Sequence, residues 1–225
     1  MIVTKIKTLL RPLKNRLRES PDLFLKDVSG IVHIGANLGQ ERELYYKCGL
    51  DVLWIEPIPD VFSKLIENIK DFKDQRAIQA LVTDIDNKEY KFNIANNNGA
   101  SSSILGFKQH KDIWPNVKYT NTILLKSLTL ATLFQQEQID ASKYQALIMD
   151  TQGSELLVLK GSLPVLKHFQ FIKTEVPDFE SYEGCCQLSD IKAFMLEHGY
   201  KEISRKKFAS HTLRGNYFDI IYQKI

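Results

Sequence analysis

A strand that runs into a tight glycine turn narrows the folds open to this chain more than any other feature. Ile31-Val32-His33-Ile34 is a short β-branched run bounded by Gly30 and Gly35. That is the pattern of a strand buried on both faces. Gly35-Ala36-Asn37-Leu38-Gly39 then turns the chain into the polar Gln40-Glu41, which can open a helix. Glycines permit close backbone approach, and the free N–H groups of a first helical turn face whatever binds there. Strand, glycine turn and helix N-terminus together make the edge at which α/β sheets hold nucleotide-like ligands.

The rest of the sequence is consistent with that edge. A helix is expected over Gln40–Cys48, stopped by Gly49, and a second strand over Val52–Glu56, ended by Pro57 and Pro59. Asp60 is placed to cap a helix over Val61–Lys70, in which Phe62, Leu65, Ile66 and Ile69 form an apolar stripe. Ala77–Val82 reads as a third strand ending at Thr83-Asp84. Glu89–Ile94 and Thr122–Lys126 read as extra strands flanking the polar loop that contains Ser101, Ser102 and Ser103, with a helix over Thr129–Glu137. Ala146–Asp150 is the next core strand. It turns through Thr151-Gln152-Gly153-Ser154-Glu155 into a helix over Leu156–Lys160. Phe169–Val176 is a further strand, and Leu188–His198 an amphipathic helix. Tyr200–Ser204 and Tyr217–Tyr222 are strands with no helix between them. Alternating strands and helices closed by a hairpin predict an α/β doubly wound sheet, mostly parallel with an antiparallel C-terminal edge strand.

Charge and cysteines limit the function classes. A net charge of +3 over 225 residues, without a basic stripe interleaved with aromatics, gives no footprint for nucleic acid. Cys48, Cys185 and Cys186 lack zinc-like spacing, and adjacent cysteines bridge poorly, so reduced thiols in a cytoplasmic protein are expected. No apolar run reaches the roughly 20 residues of a membrane span. Residues 1–27 form a basic amphipathic segment, in which Met1–Ser20 carries Lys5, Lys7, Arg11, Lys14, Arg16 and Arg18 against the single acid Glu19. Contact with an anionic membrane surface is one reading. Pro12 interrupts the helix and favours the other, in which its apolar side packs on the domain or on a second copy of the chain. Residues 28–225 form one domain with a substrate-facing insertion around 88–126.

Glu56 sharpens the opening turn. An acid at the end of the second strand can accept hydrogen bonds from both ribose hydroxyls of an adenosine. The turn lacks the third glycine of a dinucleotide fingerprint. His33 and Asn37 stand where a methyltransferase-type acid-x-Gly-x-Gly-x-Gly turn has an acid and a glycine. A neutral imidazole at His33 can make one hydrogen bond without supplying a charge, or can be a packed strand histidine.

Three ordered motifs carry a resemblance. His33-Ile34-Gly35-Ala36-Asn37-Leu38-Gly39-Gln40-Glu41, Trp54-Ile55-Glu56-Pro57-Ile58-Pro59 and Met149-Asp150-Thr151-Gln152-Gly153-Ser154-Glu155-Leu156, with Leu159-Lys160-Gly161, resemble the FkbM family of S-adenosylmethionine-dependent methyltransferases. Ser101-Ser102-Ser103-Ile104-Leu105 and Ser181-Tyr182-Glu183-Gly184-Cys185 match a branch of it. The resemblance implies a class I methyltransferase (Rossmann-like) fold and methyl transfer to a hydroxyl. It places Gly35, Asn37 and Gly39 around the methionine end of S-adenosylmethionine, Glu56 on the ribose and Asp84 near the adenine. His33, Ala36, Gln40, Glu41, Pro57 and Asp150 complete the expected cofactor set.

Transfer to oxygen needs an aligned hydroxyl and a group that removes its proton. Asp150, at the end of the fourth core strand, is the first candidate. Glu175 is a second candidate or a carboxylate that orients its neighbours, and His110 a third or a solvated loop histidine. Asp150, Glu175 and Asp178 make an oxygen donor set for Mg²⁺, a route ranked below a metal-free one. Ser101, Ser102, Ser103 and Tyr182 are candidates to bind acceptor. The expected function is O-methylation of a sugar, glycan or related hydroxylated metabolite. The rivals are a nicotinamide-dependent oxidoreductase and a non-catalytic binding protein that retains the fold.

Overall fold

The computed structural model describes residues 21–225. The basic segment therefore lies outside the described residues, apart from its last part, which includes a 3-10 turn at Pro21–Lys26. In chain order the strands are β1 (Gly30–Ile34), β2 (Asp51–Ile55), β3 (Gln75–Ile78), β4 (Leu81–Val82), β5 (Glu89–Ala95), β6 (Tyr119–Leu128), β7 (Ala146–Met149), β8 (Phe171–Pro177), β9 (Tyr200–His211) and β10 (Gly215–Lys224). The helices are α1 (Arg42–Lys47), α2 (Pro59–Ile69), α3 (His110–Ile113), α4 (Leu130–Gln136), α5 (Glu155–Gly161), α6 (Leu163–Leu166) and α7 (Leu188–Glu197).

Seven strands form one sheet in the order β3-β2-β1-β7-β8-β10-β9. The pairs from β3 to β8 are parallel, while β10 runs antiparallel to both β8 and β9. The antiparallel strand lies one place in from the edge, which β9 forms. The chain lays down β1, β2 and β3 in one direction and then returns to place β7 on the other side of β1. That reversal leaves a crevice beyond the carboxyl ends of β1 and β7, where α/β sheets bind ligands.

Continuous apolar runs in the sequence reflect two covered faces. Successive strand residues point to opposite sides, so Val32, Leu53 and Leu147 pack with α4, α5 and α7. Ile31, Trp54 and Ile148 pack with Phe24, Tyr45 of α1 and Leu65 of α2. Each fully buried large aliphatic stabilises the fold by about 1.5–3 kcal/mol. Pro59 occupies the first turn of α2, leaving Asp60 inside that turn rather than capping it, and Ile66 is exposed. α4 starts as its sequence asks, with the Thr129 hydroxyl accepting from the Thr132 N–H at 3.1 Å.

The run Ala77–Val82, expected as one strand, is divided. β3 belongs to the main sheet, whereas β4 pairs with β6 in a smaller sheet of order β4-β6-β5. This smaller sheet, with Ile58 and Val61 of the α2 entry, buries its own cluster of Leu81 and Phe92. It stands beside the crevice and forms one wall of it. Among the described residues all cysteines are free, and no helix is long and apolar enough to cross a membrane.

Candidate active site

The crevice holds a cleft of about 200 Å³. Its floor comes from the ends of β1, β2 and β7: Ile34 and Gly35, Glu56 and Pro57, and Asp150 and Thr151. One wall is apolar, with Ile58, Ala80, Leu81, Val82 and Phe92. Asn37, Gln40, Glu41 and His33 border it from the first turn, and Gly99, Ala100 and Ser102 from the loop of the smaller sheet. Asn37 Nδ2 donates to the Asn98 carbonyl at 3.0 Å, tying that loop across to the turn.

The first turn is built on the backbone. Gly35 has φ +79°, and a Cβ there would lie 1.9 Å from the Asp150 carbonyl oxygen. Only glycine lets the two strand ends approach so closely. The Gly35 and Ala36 N–H groups donate to the Ile55 carbonyl at 3.0 and 3.1 Å. Glu56 is 3% exposed. Its Oε2 accepts from the Asn37 N–H and its Oε1 from the Ile58 N–H, both at 2.9 Å. Burial pushes this carboxyl up to about 7 against the pull of those two donors.

The second turn presents Asp150. Burial raises its carboxyl to about 7, aided by the charges of Glu155, Glu41 and Asp219, while Gln152 Nε2 donates to Oδ1 at 2.5 Å and pulls it down. Glu155, itself buried, accepts from the Thr151 N–H at 2.9 Å and the Gly153 N–H at 3.0 Å. It shapes the turn and leaves Asp150 to the cleft.

The family model described as Methyltransferase FkbM domain matches residues 33–202. The chain belongs to the FkbM methyltransferase family. A curated relative, 2-O-methyltransferase NoeI of Sinorhizobium fredii (strain NBRC 101917 / NGR234), is 27% identical over 176 residues, covering 75% of this chain and 69% of NoeI. In fold, the chain is similar to Streptococcus pneumoniae Sp1610 solved with S-adenosyl-L-methionine (TM-score 0.50, 10% identity, 93% of this chain and 72% of that one). It is also similar to the METTL16 MTase domain (TM-score 0.51, 10% identity, 96% and 66%). The FkbM protein described here is an S-adenosylmethionine-dependent methyltransferase with a class I fold, which sets aside the oxidoreductase reading.

The cleft suits that cofactor. Glu56 keeps acceptor capacity beyond its two backbone partners, as a ribose diol requires. The apolar wall offers a dry slot for a base. The Thr151 hydroxyl, on a residue bordering the cleft, is buried without a partner. Of the cofactor residues selected from sequence, His33, Gly35, Ala36, Asn37, Gln40, Glu41, Glu56, Pro57 and Asp150 border this FkbM cleft. His33 stacks on Trp54 at 5.0 Å and pairs through Nδ1 with the Tyr45 hydroxyl at 3.1 Å. Burial and Lys173 hold it down at about 3, so it is a neutral packed histidine.

Several residues sit elsewhere. Gly39 turns away from the cleft, where a Cβ would meet Leu65 at 2.7 Å. Asp84 is exposed beyond β4 and does not border the cleft. His110 is 2% exposed, stacked on Phe107 at 4.9 Å and paired with the Tyr217 hydroxyl at 3.2 Å, and burial lowers it to about 4. It belongs to an aromatic cluster away from the cleft, neither solvated nor placed as a base. Glu175 lines a separate small cavity with Gly153, Glu155, Tyr182 and Tyr217. Burial first, then Asp150, Asp219 and Glu155, push it well above the usual range.

The serines are structural. Ser101 accepts from Asn97 Nδ2, Ser102 accepts from the Ala95 N–H, and Ser103 donates to the Gln152 carbonyl at 2.8 Å. Only Ser102 borders the cleft. Tyr182 is 1% exposed and donates to Gln152 Oε1 at 2.5 Å. Asp178 accepts from the Asn216 N–H and side chain. Among the described residues no three His, Cys, Asp or Glu side chains converge as a metal donor set. Sequence reasoning missed the apolar wall and Thr151. For Thr151 the available signal was its place directly after a strand-end acid.

Proposed function

We propose that this protein is an O-methyltransferase acting on a hydroxyl of a sugar, glycan or related hydroxylated metabolite, with Asp150 as the base. The observation that carries the reading is a strand-end carboxylate that borders the cleft, held above the ordinary range by burial and by the acids around it. A carboxylate raised in this way takes up a proton more readily than a free one, as general base catalysis needs. The 2-O-methyltransferase relative supports oxygen as the accepting atom. When bound, S-adenosylmethionine supplies an electrophilic methyl group. Glu56 would hold the ribose hydroxyls, Gly35 and Asn37 would let the backbone approach the cofactor, and the apolar wall would exclude water from the base. Asp150 takes the proton of the acceptor hydroxyl.

The test is S-adenosylhomocysteine release with a panel of saccharides and glycolipids, followed by NMR of the product. The expected result is an O-methyl ether from the native protein and lost turnover with intact cofactor affinity in Asp150→Asn. No release with any hydroxylated acceptor, or a methyl group on nitrogen or carbon, would overturn the reading.

A further inference from the structure

We propose that Tyr182 and Gln152 form a positioning relay that holds Asp150 as a charged acceptor. The inference rests on the reading of Asp150 as the base. Gln152 adopts φ +52°, a left-handed conformation that side chains other than glycine seldom take. Its backbone is fixed there by Ser103, which donates to its carbonyl, and by Glu155, which accepts from the N–H groups on either side. The side chain then has two ends with different chemistry. Nε2 faces Asp150 Oδ1 and Oε1 faces the Tyr182 hydroxyl, each at 2.5 Å.

With Asp150 ionised the polarity of this chain is set, although the Tyr182 hydroxyl also has the Ser101 carbonyl within reach at 3.4 Å. An ionised carboxylate only accepts, so the amide must offer it N–H. Tyr182 holds the other end by donating to Oε1. Burial raises the phenol well above its ordinary value, so it keeps the proton it donates. Without that hydroxyl Oε1 loses its fixed donor, and reversal of the amide is opposed only by Asp150 and by Glu175, which also draws on the Gln152 side chain. A reversed amide would set Oε1 against Asp150, and the carboxyl would have to be protonated to make the bond.

The other acidic groups acting on Asp150 favour its neutral form: Glu155 of α5, Glu41 before α1, Asp219 of β10 and Glu175 of β8. Of the cations acting on this group, Lys173 of β8 is paired with Asp22 at 2.7 Å, and Lys206 of β9 acts on Asp219. Among the described residues Gln152 is the sole side-chain donor to Asp150. Tyr182 does not border the cleft. Its ring packs against His110 at 4.9 Å and Phe107 at 5.5 Å, contacts that phenylalanine would keep.

The test is a ¹³C NMR titration of the Asp150 side-chain carboxyl in the full chain, assigned with Asp150→Asn and compared between native protein and Tyr182→Phe. The expected midpoint rises by about one pH unit, and the acid limb of kcat/KM moves with it. Activity then falls about tenfold at pH 6, and the loss shrinks toward pH 9. S-adenosylhomocysteine affinity by calorimetry stays unchanged. Gln152→Met, which removes the donor itself, shifts the midpoint the same way and replaces Tyr182→Phe if that variant fails to fold. An unmoved midpoint with a pH-independent loss of activity would show packing alone and overturn the relay. If the native protein methylates no hydroxyl acceptor, the base reading fails, while the titration still decides the relay.

Discussion

The two strand-end turns that face each other across the cleft solve the same problem with different materials. Each includes a glycine and a left-handed non-glycine residue, Asn37 at φ +46° and Gln152 at φ +52°. Each is tied by a buried carboxylate that accepts two backbone N–H groups: Glu56 takes Asn37 and Ile58, and Glu155 takes Thr151 and Gly153. In the first turn the tying carboxylate itself borders the cleft. In the second turn the duties are divided. Glu155 holds the backbone, and Asp150 faces the cleft on a side-chain amide. Donors pull down both cleft carboxyls, but those on Glu56 also tie the backbone of the turn, whereas the amide on Asp150 ties none. The first turn is therefore specialised for shape and the second for chemistry.

The largest expected effect is on shape. Gly35→Ala drives a methyl group into the rigid Asp150 carbonyl and costs at least about 4 kcal/mol, lowering the melting temperature by roughly 10 °C or more. Gly153→Ala meets the Cys185 side chain at 2.8 Å and costs less. A calorimetric scan that ranks the two the other way would break the contrast. Next comes chemistry: Asp150→Asn is expected to reduce kcat by about 10²–10⁴ while cofactor affinity stays within about threefold of native. Glu56→Gln should do the opposite. It weakens cofactor binding about tenfold or more, the loss of a charge-assisted hydrogen bond, and isothermal titration reads it directly.

A smaller effect concerns pH. Glu56 and Asp150 move from ordinary values of 4.5 and 3.8 to about 7 on folding. The folded chain then holds more protons than the unfolded one across that window, so these groups lose stability for the fold as pH rises toward 7. His33 acts oppositely between about 3 and 6.5, because unfolding lets it take a proton. Glu175 is also raised well above its ordinary value, by burial and then by the acids around it, so Glu175→Gln should stabilise the apo protein at pH 8, by on the order of 1–3 kcal/mol, and much less at pH 5. Equal melting shifts at the two pH values would contradict this. The smallest is Ser103→Ala, about 1 kcal/mol from the bond to Gln152, seen as a shifted denaturation midpoint.

Legibility in the sequence followed the range of the interactions. Gly35, Glu56 and Asp150 were readable because strand, breaker and acid are contiguous, and a parallel sheet brings such strand ends to one edge. The apolar wall was not, because Leu81 and Phe92 meet Ile58 only after the smaller sheet forms. Ala77–Val82 read as one strand because nothing local marks its division between two sheets. Asp84 was expected near the adenine for its place after the third strand, but it is exposed. Asp86 is the one that is engaged, accepting from the Thr129 N–H at 2.6 Å and the Thr132 hydroxyl at 2.8 Å. His110 looked available in a polar loop, but Phe107 and Trp114 of its own segment and Tyr182 and Tyr217 from two distant ones enclose it. Hydroxyl-rich Ser101–Ser103 suggested acceptor binding, yet Ser101 and Ser102 accept hydrogen bonds within their own loop and Ser103 donates across to Gln152.

The insertion of β10 between β8 and β9 has a consequence for how the protein is made. Glu175 and Asp219 sit on directly paired positions of β8 and β10, so one of the acids around the second turn is delivered by a strand that leaves the ribosome after every other one described here. Until it docks, β8 has an open flank and Ile220 and Ile221 have no core to join. The cofactor half of the sheet can assemble during synthesis, and the half that tunes the base is completed last.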